Sequence, residues 1–454
     1  MLIIVLLLVF GYLLIATGHL TGVNKAAIAM FIGTIGWVVY VCWGADFVMK
    51  LHADEYLKWL DGSNANSLTV KHFIYDNIFL KYVGKAASIV MFLLATMTIV
   101  EILDNNGCFD FISQWIRTRN SKRLLWTITV ATFLLSANLD NLTTATMMLV
   151  IMHSIVRSRK QRMLIGSAIV LAANAGGCFT VIGDPLGLVL WGNDAVTASY
   201  FSAYLFPPVM ASWIIPTILI NMELPSRLDV EWGMPPYRGN DTRLNYWQRM
   251  VMFFVGIGGL WFIPTFHSIT KLSPFLGALC VLSVLWVVNE AFNRKLMQAD
   301  QMGERKPQAL QYGAIQQMLF AMGIMLGMGV LTESGVLSDI GEWIYKTCFQ
   351  NVWLMGALSG LLSSIVDTFT VAMTNVSFFP VSEGVFAKNG IYWLIIAFST
   401  AMGGSLLTIG STSGIALMRM ENMRMGWYFR HLTWKVLLGF LSGLAVLYVE
   451  SLFF

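Results

Sequence analysis

At 454 residues, 57% hydrophobic and only 12% charged, with a mean hydropathy of +0.67, the chain carries roughly half the charge of a soluble domain (about 25%). That excludes a soluble globular protein and defines a polytopic membrane protein, with room for about ten to twelve membrane elements at ~20 apolar residues per crossing. The net charge of +4 comes from basic residues in short loops between apolar runs, which excludes a nucleic-acid partner.

In chain order, runs able to cross fall near 1–18, 24–45, 85–103, 163–192, 202–222, 248–265, 273–292, 313–332, 391–418 and 434–452. The first, MLIIVLLLVFGYLLIATGHL, lacks the basic start of a signal peptide and reads as a membrane helix. Two further runs, about 124–156 and 352–379, are each interrupted by a polar cluster. The first cluster, SANLDNLTTATMM (136–148), follows an arm of 12 residues. At 1.5 Å per residue the arm reaches ~18 Å, short of a hydrocarbon core of about 30 Å.

RTRNSKR (117–123) and RSRKQR (157–162) flank that element and set both its ends on the cytoplasmic side. It is therefore predicted to enter the membrane and return, as a re-entrant helical hairpin; one kinked crossing helix is the alternative. In this orientation the basic loops 223–247, 293–312 and 419–435 fall inside. Loops 193–201, 266–272, 334–351 and 380–390 fall outside, as do both termini and a long loop, 46–84. Cys42, Cys108, Cys178, Cys280 and Cys348 show no CxxC or CxH spacing, so neither a metal cluster nor a disulfide framework is expected.

The chain repeats itself. SANLDNLTTA (136–145) matches SSIVDTFTVA (363–372), and AGGCFTVIGDPLG (175–187) matches MGGSLLTIGSTSG (402–414), both displaced by 227. NGCFDFISQWI (106–116) matches SGVLSDIGEWI (334–344), displaced by 228. Each half reads as three crossings, a short interfacial helix, a hairpin, a broken helix and one more crossing. The expected fold is all-α, with two inverted-topology repeats and about ten crossings plus two hairpins. The first repeat is 1–222 (hairpin about 124–156, broken helix about 163–192) and 223–247 is a cytoplasmic linker. The second is 248–454 (hairpin about 352–379, broken helix about 391–418). In transporters such repeats put the substrate site near the midplane, on discontinuous helices.

Broken backbone leaves amides and carbonyls without intrahelical partners, and it persists at membrane depth only where buried or lining a polar cavity. Here the breaks carry oxygen ligands suited to a hard cation. Asn138, Asp140, Asn141, Thr143 and Thr144 lie at the first tip, Asn174, Thr180 and Asp184 at the facing break, and Asp367 and Thr370 at the second tip. Gly176, Gly177, Gly183, Gly403, Gly404 and Gly410 permit close backbone approach. Hard cations such as Na+ take oxygen ligands of these kinds. A charged side chain at the bilayer centre costs about 2.5–3.5 kcal/mol. Burial favours the protonated carboxyl and a bound cation the ionised one, so proton and Na+ compete for one group.

Other readings are milder. Each aspartate could simply cap a half-helix, and capping is as good an account as ligation for Ser363, Ser411, Thr412 and Ser413. Glu101, Glu290 and Glu333 read as solvated or interfacial, and His153 as an idle surface residue. Without a Ser/His/Asp set or metal-ligand spacing, neither an enzyme nor a cofactor is expected.

With LDNLTTATMMLV (139–150), NAGGCFTVIGDPLGLVLW (174–191), MTIVEILDNNG (97–107) and SSIVDTFTVAM (363–373), the chain resembles the NhaD-type sodium/proton antiporters over nearly its whole length. These share a fold with sodium-coupled dicarboxylate carriers and arsenite permeases. The resemblance implies a homodimer in which a transport domain moves as an elevator against a scaffold. It also implies that Asp140, Thr143, Asn174 and Asp184 bind the cation, with Asp367 the second-repeat acid. The second half departs from the pattern, with DTFTVAM at its tip and Ser411 where the first break has Asp184, so it is expected to bind cation weakly or to serve structurally. The leading expectation is a Na+ (or Li+)/H+ antiporter of a bacterial inner membrane. The runner-up is a sodium-coupled anion symporter or arsenite-type permease, and a non-transporting membrane sensor or enzyme is third.

Overall fold

The computed structural model describes residues 2–18, 23–61, 64–116, 118–229, 244–297 and 312–453. Parts of the expected linker (230–243) and of the loop 293–312 (298–311) lie outside the described residues.

Every long apolar run is helical. Helix α1 (Leu2–Ala16) is followed by α2 (Lys25–Cys42), whose first turn is capped by Asn24 accepting from Ala26 N at 2.9 Å. The expected long loop 46–84 is instead helix. It holds most of α3 (Gly44–Leu51), all of α4 (Ala53–Leu60) and the start of α5 (Ser67–Asn105), a helix of 39 residues with a π-helical stretch at Ile74–Phe79. A capping box between Asn66 and Thr69 starts α5. Of the charges that looked like a loop, Asp46, Lys50, Asp54, Glu55 and Lys58 lie on α3 and α4, which bury Phe47, Val48 and Tyr56, while Lys71, Asp76 and Lys81 lie on α5.

The first half continues with α6 (Asp110–Trp115), α7 (Ser121–Ser136), α8 (Asn141–Ile155), α9 (Arg159–Phe179), α10 (Pro185–Gly192) and α11 (Ala198–Glu223). The second half has α12 (Tyr246–Thr270), α13 (Pro274–Met297), α14 (Tyr312–Glu333), α15 (Val336–Thr347), α16 (Val352–Ser363), α17 (Thr368–Phe378), α18 (Ile391–Gly403), α19 (Thr412–Met420) and α20 (Met425–Ser451).

Among the described residues, eight helices are long and apolar enough to cross a membrane: α2, α5, α9, α11, α12, α13, α14 and α20. The other two of the ten expected runs fall short for visible reasons. Helix α1 has only 15 residues, and 391–418 divides into α18 and α19.

Two cores organise the helices. One runs from α5 and α7 through α9, α10, α11, α18 and α20. The other joins α1, α2, the N-terminal part of α5, α14 and α17. Helix α9 is 83% buried over its apolar window whereas α12 is 22% buried, so α9 is an interior element and α12 faces outward. Helix α18 is buried at every position from Tyr392 to Gly403. An all-round apolar helix of that kind belongs inside a large assembly. Helix α9 carries Gly176 and Gly177, and α18 carries Gly403, at the two breaks.

Candidate ion site at paired helix breaks

The polar cluster at 136–148 interrupts the helix as expected. Helix α7 ends at Ser136 and α8 starts at Asn141, with Asp140 as its N-cap. Asp140 Oδ2 accepts from Leu142 N and Thr143 N, each at 3.1 Å, and from Thr143 Oγ1 at 3.4 Å. Its Oδ1 accepts from Gln317 Nε2 on α14 at 2.9 Å. Facing it, α9 ends at Phe179 and α10 starts at Pro185, with Asp184 as N-cap accepting from Leu186 N at 2.9 Å. Proline fits there because the first-turn amide has no helical partner to lose.

The two breaks are laced together. Asn141 Nδ2 donates to Asp184 Oδ2 at 3.1 Å, Ser136 Oγ to Ala173 O at 2.6 Å, and Thr180 Oγ1 to Ala137 O. Thr180 Oγ1 also accepts from Gly183 N at 3.1 Å. The end of α7, which would otherwise expose orphan carbonyls, thus sits against the glycine face of α9. A Cβ on Gly176 would lie 2.3 Å from Phe133 O, and one on Gly183 2.7 Å from Ser136 O, so only glycine fits.

The second half repeats this geometry at the same displacement of 227. Ser363 Oγ donates to Thr400 O at 2.7 Å, matching Ser136 and Ala173. A Cβ on Gly403 would lie 2.3 Å from Gly360 O, and one on Gly410 2.4 Å from Ser363 O. Asp367 caps α17, accepting from Phe369 N at 3.1 Å and Thr370 N at 3.3 Å. Ser411 caps α19, accepting from Gly414 N at 3.0 Å.

Asp140, Asp184 and Asp367 are all at least nine-tenths buried, so capping and burial coexist at all three. A cavity of about 10 Å³, near the lower limit for one water-sized occupant, adjoins Asp184 and is lined by Gly177, Thr180, Gly187, Phe201 and Ala401.

The hydrogen bonds divide the four expected sodium ligands. Asp140 and Thr143 meet directly, and Asp184 is tied to them through Asn141. Asn174 instead spans to the second half, donating through Nδ2 to Ser405 Oγ at 2.8 Å and accepting at Oδ1 from Ser413 Oγ at 2.7 Å. Asn138 turns back onto α7, its Nδ2 donating to Leu134 O at 3.1 Å. Among the described residues the buried hydroxyl of Thr144 meets no hydrogen-bond partner. No three His, Cys, Asp or Glu side chains group to hold a metal among the described residues, so the oxygen set is a mixed one of carboxylate, amide and hydroxyl.

Several polar residues outside the expected set matter. Gln317 and Ser405 were overlooked; the pair Gln316–Gln317 inside the apolar run 313–332 was the available signal. His153 is not idle: its Nδ1 meets Glu421 Oε1 at 2.8 Å, and Arg162 Nε reaches both oxygens of that fully buried carboxylate. Nor is Glu333 solvated: His52 Nε2 lies 2.6 Å from its Oε2, and Tyr82 OH donates to its Oε1 at 2.8 Å.

Helices that cross a membrane and meet at facing breaks lined with buried oxygens define a multi-pass membrane transporter. Residues 1–376 match the family described as citrate transporter, and the chain belongs to that family, whose members are transporters and not enzymes. It is 30% identical over 445 residues to sodium/proton antiporter 2 of Arabidopsis thaliana, covering 97% of each chain. It is 34% identical over 372 residues to sodium/proton antiporter 1 of the same plant, covering 82% of this chain and only 63% of that longer relative. To the Na(+)/H(+) antiporter NhaD of Alkalimonas amylolytica it is 26% identical over 389 residues, covering 79% of this chain and 76% of the other.

Proposed function

We propose that the chain exchanges Na+ or Li+ for H+ across its membrane, with Asp140 and Asp184 binding cation or proton in turn. The observation that carries this is the pair of buried carboxylates at facing helix breaks, linked through Asn141. A carboxylate withdrawn from water needs a proton or a compensating cation, and the amides of Leu142, Thr143 and Leu186 orient both groups without neutralising them. Na+ entering from one face displaces the protons, and protons arriving from the other displace Na+. Thr143, Thr180, Asn138, Asn141, Thr144 and Asn174 belong to the same polar surround, and the antiporter names of the relatives agree with this chemistry.

The shared displacement of the two break geometries supports inverted repeats, with re-entrant hairpins at α7–α8 and α16–α17. The same reading has the break-bearing helices move against a scaffold, as an elevator, in a homodimer. Asp367 and Thr370 form the second half-site; Ser411, replacing an acid there, leaves it the weaker one. An anionic substrate such as a dicarboxylate would meet three buried carboxylates at these breaks, which disfavours the symporter alternative.

The test uses proteoliposomes loaded with a pH dye under an acid-inside gradient, to which Na+, Li+, K+ or succinate is added in turn. Luminal alkalinisation by Na+ or Li+, lost in Asp140→Asn, is the expected result. Sodium-dependent uptake of labelled anion with no cation–proton exchange would replace this reading with the symporter.

A further inference from the structure

Gln317 lies on α14 in the second core, beside Met318, whereas Asp140 follows Leu139 in the first. The 2.9 Å bond from Gln317 Nε2 to Asp140 Oδ1 therefore reaches from one core to the other. Oδ2 of the same carboxylate is taken by Leu142 N and Thr143 N, so Gln317 is the side-chain partner of the remaining oxygen. The other end of its carboxamide, Oε1, is buried and meets no donor among the described residues. A buried acceptor left in that state is destabilising, and a bound cation removes that cost.

Building on the antiporter reading, we propose that Gln317 positions Asp140 and selects the ion: its amide nitrogen holds the empty carboxylate, and its unpartnered amide oxygen turns to ligate the arriving cation. A carboxamide suits both tasks because it offers donors at one end and an acceptor at the other while carrying no charge. Rotation about its last torsion exchanges the two ends. The oxygen can also accept from the O–H of a protonated Asp140. A lysine here would compete with the cation, and a second carboxylate would add charge that the site must neutralise.

The test compares Na+ and Li+ exchange in proteoliposomes for the unsubstituted protein, Gln317→Leu and Gln317→Glu at matched protein content. Gln317→Leu is expected to raise the KM for Na+ about tenfold, the effect of one lost charge-assisted contact, with the larger part of the change in KM and not kcat. The ratio of Na+ to Li+ KM is expected to change as well, which a purely structural bond between α14 and the hairpin would leave alone. An unchanged KM and ratio, or a loss confined to kcat, overturns the role. If the leucine variant does not accumulate, the near-isosteric Gln317→Glu decides: an altered Na+ KM with an altered Na+/Li+ ratio supports the role, and both unaltered overturns it. Absence of exchange in the unsubstituted protein sinks the antiporter reading and this role together, whereas normal exchange with unchanged KM and ratio sinks the role alone.

Discussion

At the scale of the residue, Asp140 and Asp184 each perform two tasks that substitution can separate. Both cap half-helices, and both place a carboxylate in a buried polar site. Asparagine caps about as well as aspartate, while alanine costs about 1 kcal/mol at such a position. Asp184→Asn is therefore expected to keep the melting temperature and Asp184→Ala to lower it. Both are expected to reduce exchange by at least about tenfold, because charge and not capping binds the ion. Thermal melting and flux on the same preparations check this; full exchange in Asp184→Asn would show that the cap alone matters. These aspartates were legible in the sequence because a charge inside an apolar run has few structural reasons to be there. Gln317 was not, since a neutral amide raises no such alarm and its partner lies 177 residues away.

At the scale of the element, the breaks depend on backbone approaching backbone. A Cβ at Gly176 or Gly403 would meet a carbonyl oxygen at 2.3 Å, while one at Gly192 would meet nothing within 4 Å. Gly176→Ala and Gly403→Ala are each expected to destabilise by about 1–3 kcal/mol, the usual range for overpacking. Gly192→Ala, at a helix end, is the control for thermal melting in detergent. The ends of α8, α9 and α19 are pinned separately, by His153 and Arg162 on Glu421, with Arg159 donating to Glu421 O at 3.1 Å. Because the Glu421 side chain is fully buried, Glu421→Ala removes the acceptor that Arg162 and His153 share. It is expected to cost about 1–3 kcal/mol, visible as a lowered melting temperature; an unchanged one would make the junction incidental. That junction was illegible because its partners lie 268 residues apart. Helices α3 and α4 were missed for a different reason: their charges suggested a loop, although they bury Phe47, Val48 and Tyr56.

At the scale of the whole molecule, two halves with one break geometry carry unequal chemistry. The hydroxyl of Ser363 and the glycines at 403 and 410 reproduce Ser136, Gly176 and Gly183. Yet Ser411 stands where Asp184 does, leaving one acid at the second break against two at the first. Asp367→Asn is accordingly expected to retain at least about tenfold more exchange than Asp140→Asn, a difference of roughly 1.4 kcal/mol or more. Equal loss in both, measured by the same dye assay, would make the half-sites equivalent. This symmetry was legible in the repeated motifs, because glycine and serine at fixed spacing record backbone contacts that no other residues allow. What the repeat could not convey was how the halves meet. Asn174, expected as a cation ligand, also hydrogen-bonds to Ser405 and Ser413 of the other half.

The central claim is that Na+ and protons compete for the same carboxylates. The most direct measurement is proton release from the purified protein, in weakly buffered detergent, when NaCl is added. The account predicts release that saturates with Na+, is matched by Li+ but not by choline, and disappears in the Asp140→Asn/Asp184→Asn double variant. Sodium binding without proton release, or release that persists in the double variant, would contradict it.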